Sequence, residues 1–398
     1  MAKKYHITRK KSEVRLSALC LLSSVLFPLS SVLCSFSGAV NDAFCGLSAP
    51  ASAEASRGGA RVQNSRRLKK VPWPRTELKL EEIGFKIVFE TYRETNGKDN
   101  WELYLMNADG SDPVNLTNTP DVDEMYPHAS PDGTKICFVV DEEIGREPHL
   151  ANRRRNRSSR MKTRSVYYMN IDGTGRVKVA GNTRQPCWSP DGKRIAYVMG
   201  EYERYSTREY ATSQLFIYDL QTRQHRLHPN RALHHIYAIC WSPDGNWFLA
   251  AVHGGMGYSD TIIAIEANGT RVFDLGPLGV KGCRPDLSLD GRKMTWGETD
   301  WDLYVADIDL TSGAPRVANI RKVVTCLRAA KVYHVDFSPD GRYITFSFGP
   351  VTGAQQIGGK ARGWNICVGD LTGKWVKITM DGNHNKEPDW VPIRSMSP

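Results

Sequence analysis

Six side chains of unlike chemistry stand at one recurring place in this 398-residue chain. Tyr126, Gln185, Ala238, Arg284 and His334 each lie four residues before the serine of a short repeated turn, and Glu387 holds the same place in a last, incomplete copy. Packing alone favours small apolar residues there. Instead the set offers a phenol, an amide, a guanidinium, an imidazole and a carboxylate, which together can grip a polar ligand. Arg284 suits an anionic group through its planar fork. Glu387 can fix that guanidinium or accept ligand hydroxyls, and Tyr126 and Tyr237 can stack on a sugar or a peptide side chain. His234, His235 and His384 are neighbours of the same positions. Three imidazoles, His235, His334 and His384, are enough donors for a divalent metal. Yet His384 stands in NHNKEPDW without a paired His-x-His, so neither a metal nor a cofactor is assigned, and no residue is called catalytic. Tyr126, Gln185, His235, Tyr237, Arg284, His334, His384 and Glu387 are taken as a ligand- or partner-binding set. The plain alternatives are a solvated funnel whose polar groups bind only water, and an Arg284–Glu387 pair that simply plugs the channel.

The elements that must position these residues follow from the turns. Ser130-Pro131-Asp132-Gly133, Ser189-Pro190-Asp191-Gly192, Ser242-Pro243-Asp244-Gly245 and Ser338-Pro339-Asp340-Gly341 recur, with Ser288-Leu289-Asp290-Gly291 as a variant. Pro presets φ, Asp bonds its own backbone, and Gly closes the turn at positive φ. Trp188, Trp241, Leu287 and Phe337 precede turns, and alternating β-branched and aromatic runs follow them, which reads as strand, turn, strand. From Ser to Ser the steps are 59, 53, 46 and 50 residues, the length of a four-stranded propeller blade. FKIVFETYR (85–93) is a second strand without a turn before it. EPDWVP (387–392) is a first strand with none after it. The halves are complementary, so residues 386–391 are expected to pair with 85–92 and close six blades without a free edge. The expected fold is all-β: a six-bladed propeller of four-stranded antiparallel blades.

With strands named A to D outward from the axis, these turns join A to B, and Asp-Gly or Asn-Gly turns join C to D, as at Asp109-Gly110 and Asp172-Gly173. Both sets lie on one face. The B–C and D–A connections share the other face and vary from blade to blade, which is where function on a rigid scaffold is expected. The Asp-Gly turns lack the acidic spacing of a calcium loop.

Charge is unevenly spread. Of the net +10, residues 1–70 carry +9, and residues 146–164 hold eight Lys/Arg against one Glu. The rest is mildly acidic, which argues against nucleic acid as a partner. The 146–164 insert is expected to be a solvent-exposed B–C loop. Residues 1–15 are basic and 16–33 apolar and Ser-rich, with SGA and ASA sites after them, the order of a secretory signal; a membrane anchor at 16–33 is the rival. The expected layout is a leader at 1–53, a flexible linker at 54–82, the propeller at 83–392 and a tail at 393–398. Three of nine cysteines fall in the leader, and Cys187 and Cys240 occupy one position in successive repeats. No disulfide framework is expected.

The pattern P-x-W-SPDG-x-x-IAYV followed by Y-x-MN-x-DG-x-x-x-x-LT resembles the repeat of the TolB-like six-bladed β-propellers, over residues 83–392. The resemblance implies an exported, periplasmic binding or scaffolding module for a protein or carbohydrate partner in the cell envelope. The family also holds propellers fused to serine peptidases and a manganese-dependent oligogalacturonide lyase. No G-x-S-x-G elbow follows this propeller, and the short linker leaves no room for the α/β domain that precedes the TolB propeller. The alternative is a metal-dependent polysaccharide lyase or hydrolase with a His-containing site at the channel mouth. A monomer is expected, touching a membrane only through an uncleaved leader.

Overall fold

The computed structural model describes residues 78–146, 160–202, 208, 210–326, 329–351 and 363–393. The expected leader, most of the linker, the middle of the basic insert and the residues after 393 lie outside them. Blade 1 contains β1 (Lys86–Thr95), β2 (Lys98–Asn107) and β3 (Val114–Asn115). Blade 2 is β4 (Asp123–Ala129), β5 (Lys135–Arg146), β6 (Arg160–Asn170) and β7 (Val177–Gly181). Blade 3 is β8 (Thr183–Trp188), β9 (Arg194–Gly200), β10 (Thr212–Asp219) and β11 (His225–Leu227). Blade 4 is β12 (Ile236–Trp241), β13 (Trp247–His253), β14 (Asp260–Glu266) and β15 (Val272–Asp274). Blade 5 is β16 (Cys283–Leu287), β17 (Lys293–Thr299), β18 (Asp302–Asp309) and β19 (Arg316–Thr325). Blade 6 is β20 (Ala330–Phe337), β21 (Tyr343–Pro350), β22 (Asn365–Asp370) and β23 (Trp375–Lys377). The last strand, β24 (His384–Val391), returns to blade 1 as its inner strand.

The A–B turns hold their shape as their residue types demand. In the first, Ser130 Oγ donates to Asp132 Oδ1 (2.6 Å) and accepts from Lys135 N (3.0 Å). Gly133 N closes the turn on Ser130 O at 2.8 Å. Gly133 is at φ +67°, and a Cβ there would lie 1.8 Å from Pro392 O, so only glycine lets this turn press against the next inner strand. Apolar side chains then fill the wedges between blades. Val198, Leu215 and Ile217 of blade 3 pack with Phe248 and Ile263 of blade 4, and Ile87 and Phe89 of blade 1 pack with Ile366 and Val368 of blade 6. A blade buries its second face only against a neighbour.

Closure runs in the expected register: Lys86↔Val391, Ile87↔Trp390 and Tyr92↔His384. A fully buried ion pair straps the seam, Lys386 Nζ to Glu90 Oε1 at 3.0 Å. Burial pushes the Glu90 carboxyl up to about 7, against the pull of Lys386.

Two expectations are corrected. Residues 160–164 of the basic insert are not loop but strand: β5 and β6 stay paired out to Arg146↔Arg160, and Arg164 is buried against Asp141 at 3.0 Å. A buried carboxylate partner, absent from a composition count, draws this arginine inward. The end of the linker is also ordered. Leu80–Glu82 forms a 3-10 turn, and Leu78, Leu80 and Ile83 pack on the cluster between blades 6 and 1. Among the described residues no helix is long and apolar enough to cross a membrane.

Candidate functional site

The six marked positions form a ring because of one backbone device used six times. Tyr126, Gln185, Ala238, Arg284, His334 and Glu387 have φ of +55°, +52°, +48°, +56°, +55° and +50°. Each sits at a register shift in its inner strand, for example between Met125 and His128 and between Arg184 and Cys187. A bulge of this kind adds one residue and re-aims the side chains around it. Non-glycine residues held in the left-handed region cost about 1 kcal/mol or more each, so the ring is a deliberate feature of the inner strands. Both the bulge residue and the residue two further on line the axis, since residues two apart share one face of a strand. A second ring therefore follows the first: His128, Cys187, Cys240, Asp286, Asp336 and Asp389.

Both rings line one axial cavity of about 200 Å³. A third ring completes it at the A–B turns, where Pro131, Pro190, Pro243, Leu289, Pro339 and Pro392 also line the space. The lining thus runs from the bulges to the turn face of the disc.

At the bulge end, three expected site residues meet. Arg284 Nη1 donates to Glu387 Oε2 at 2.6 Å. His334 Nδ1 lies 2.6 Å from the same oxygen, and His334 Nε2 lies 3.0 Å from Asp336 Oδ2. Burial opposes charge on His334, but Glu387 and Asp336 outweigh it and push the imidazole up to about 10. Burial likewise works to raise Glu387, yet Arg284 and His334 hold its carboxyl well below the usual range. With His334 protonated, its 3.0 Å approach to Arg284 Nη1 is a like-charge contact that Glu387 offsets. The side chains of Arg284, His334 and Glu387 are 10%, 9% and 1% exposed. They form a plug across the channel.

Tyr126 and Gln185 complete that end but serve the scaffold too. Tyr126 N donates to Glu90 Oε2 at 2.6 Å, and Gln185 Oε1 accepts from Ala238 N at 2.8 Å. The other three expected residues are not in the cavity lining. His235 pairs through Nε2 with Glu201 Oε2 at 2.9 Å. His384 is 1% exposed in the seam, with its ring 4.9 Å from that of Trp101. Tyr237 is half-buried, and burial raises its phenol. His235, His334 and His384 therefore serve separate surroundings. Among the described residues no group of three His, Cys, Asp or Glu side chains is set to hold a metal ion.

The second ring went unmarked in the sequence. Asp286 accepts from Phe337 N (2.8 Å) and from Cys240 Sγ (3.4 Å), and Asp389 accepts from Ala129 N (2.7 Å). Burial, reinforced by Asp336, raises Asp286 to about 7 and lifts Asp389 well above its ordinary value. Burial lowers His128 to about 4, against Asp336. The signal was present: Asp286, Asp336 and Asp389 all lie two residues after a bulge, in three blades that are neighbours in the ring.

A family profile described as WD domain, G-beta repeat matches residues 227–263, a stretch that runs from the end of β11 through the first half of β14. No curated protein sequence matches the chain. Among solved structures, TolB from Acinetobacter baumannii is similar at 18% identity and TM-score 0.54, over 78% of this chain and 67% of that one. Hydrazine synthase from Kuenenia stuttgartiensis matches at 12% identity and TM-score 0.52, over 77% of this chain and 46% of that one. A chain of a nidogen/laminin complex matches at 8% identity and TM-score 0.52, over 78% and 99%. At these identities the likeness is one of fold.

Proposed function

We propose that this chain, a TolB-like six-bladed β-propeller, is an exported, non-enzymatic binding module that docks a protein partner over its central channel in the cell envelope. The observation that carries the proposal is the axial cavity, lined as far as the A–B turns and crossed at the bulges by Arg284, His334 and Glu387; it moves the docking site from the face of varied B–C and D–A loops, where the sequence leads us to expect it, to the opposite face. A plugged channel is no conduit, but a depression with a polar floor and a ring of prolines as its rim is a docking surface. Its volume of about 200 Å³ is below the roughly 300 Å³ at which small-molecule sites begin, which favours a side chain of a larger partner over a free sugar chain. The protein-binding reading also agrees with the matched chain of the nidogen/laminin complex, a chain of similar fold in a protein assembly.

The test is site-specific photocrosslinking in the cell of origin. Leu289 at the rim and Val114 on the side of blade 1 are each 56% exposed, so a photoreactive residue is equally accessible at both. A discrete adduct from position 289 and none from position 114 is the expected result. No adduct at 289, or the same adduct at both, overturns the proposal.

A further inference from the structure

We infer that the docking surface selects a cationic side chain, lysine or arginine, carried on an extended and otherwise apolar segment of the partner. The inference rests on the channel-docking reading above and adds the chemistry of the guest. It follows from a charge count within the cavity. The lining holds four carboxylates, Asp286, Asp336, Glu387 and Asp389, against two cations, Arg284 and His334. Both cations are spent on Glu387, with His334 also reaching Asp336. Asp286 accepts from the backbone amides of Phe337 and Leu287 and from the Cys240 thiol. Asp389 has a backbone amide, with His128 Nδ1 at 3.7 Å. Burial disfavours charge on that imidazole, so it does not neutralise the carboxylate.

Three carboxylates from blades 5, 6 and 1 thus converge below the rim with no cation of their own on two of them. A guest ammonium or guanidinium would stabilise the ionised forms of those two, which burial and the neighbouring carboxylates disfavour in its absence, and in a water-poor cavity that attraction is stronger than at an open surface. An anionic guest meets the same field as a barrier. The rim then decides what the cation is attached to. Five prolines and Leu289 surround the mouth and offer no polar side chain, so a bare cation gains nothing there. A cationic side chain flanked by apolar residues fills the floor and the rim together. The same argument predicts linkage to protons: a cation held by Asp286 requires its ionised form, so binding must strengthen as pH rises through about 7.

The experiment uses phage-displayed random dodecapeptides selected on the full chain, with a Leu289→Asp, Pro339→Asp variant as counter-selection. Enriched sequences are expected to share one Lys or Arg among apolar neighbours. Replacing that Lys by norleucine should weaken binding at least ten-fold, as should Asp286→Asn with Asp389→Asn, whose amide oxygens still accept from Phe337 N and Ala129 N. Should the double variant fail to fold, the wild-type protein suffices: affinity for the cationic peptide should rise at least three-fold from pH 5.5 to 8. Rim-dependent peptides that lack a common cation, or a flat pH profile, overturn the inference and leave the docking reading standing. Failure to enrich any rim-dependent peptide overturns both.

Discussion

The plug shows what the buried charges do for stability. Arg284→Ala leaves Glu387, 1% exposed, without its main counter-ion, and breaking a buried pair from one side costs about 3–5 kcal/mol. Arg284→Met with Glu387→Leu removes both charges and should recover most of that loss; denaturant unfolding of the three proteins measures it. Equal losses in the single and double variants would mean that shape, not charge, holds the plug. His334 adds a pH dependence. Its folded pKa, raised to about 10, exceeds the ordinary value of about 6.5. The stability it contributes is therefore complete below about pH 6.5 and is lost as pH rises through about 10. Arg284, Glu387, Asp336 and His128 face it. The gap in melting temperature between wild type and His334→Gln should narrow from pH 6.5 to 10, and a constant gap would show that His334 is neutral in the fold. Which residues reach the channel was legible in the sequence. Counting four back from each turn serine found the bulge ring, because the repeats keep that spacing. Asp286, Asp336 and Asp389 were legible too, since alternation puts residues two apart on one face of a strand, but Cys187 and Cys240 at the same place in other repeats read as small buried core residues and drew attention away from it. His384 was misplaced for a different reason: it lies three residues before Glu387, beyond the bulge, where its ring packs on Trp101 rather than facing the axis.

At the scale of elements, the turns and strands were the most legible part, since each A–B turn carries its own chemistry in Ser, Asp and Gly and each B strand its own alternation. The basic insert was legible only in part. Its charge count suggested one loop, while pairing shows a ribbon in which β5 and β6 run side by side to Arg146↔Arg160. That register makes a definite prediction. Residues 147–159 can be replaced by Asn-Gly, the two-residue turn that suits a hairpin, without opening the blade. Stability should change by less than about 1 kcal/mol, as for surface changes away from packed features. If the shortened protein loses several kcal/mol, the excised residues pack on the propeller. Arg164→Ala is the contrasting case. This residue belongs to the ribbon's base, is buried and holds Asp141 at 3.0 Å, so its loss should cost more than removing all thirteen residues of the excised segment.

The whole molecule is governed by its seam. The expected export of the chain is a separate question, answered by N-terminal peptide mapping of the protein from its native cell: a mature start near Val40 or Glu54 is expected, and an intact Met1 or Ala2 would favour a membrane anchor at 16–33. Closure is a matter of physics in the disc itself. β24 covers the edge of β1 and buries Ile87, Val88 and Phe89 to 1% exposure or less. It also supplies Lys386 to Glu90, Glu387 to the plug and Asp389 to the second ring. One strand therefore closes the sheet, the ring and the channel floor together. Deleting residues 384–398 should remove all three, strand Glu90 as a buried and unpaired carboxyl, and cost several kcal/mol of a total that is itself only about 5–15 kcal/mol for a typical protein. Loss of any strand would do some harm, so the informative comparison is a circular permutant. Joining 393 to 78 by a flexible linker and opening the chain between Thr119 and Pro120, in the connection from β3 to β4, keeps every strand and every pair but converts the seam into an ordinary covalent blade. New ends there interrupt no sheet. The permutant should melt within a few degrees of a 78–393 reference, while the truncated chain unfolds far below both. A permutant as unstable as the truncation would mean that the order of the blades along the chain, rather than the contacts of β24, is what holds the disc closed.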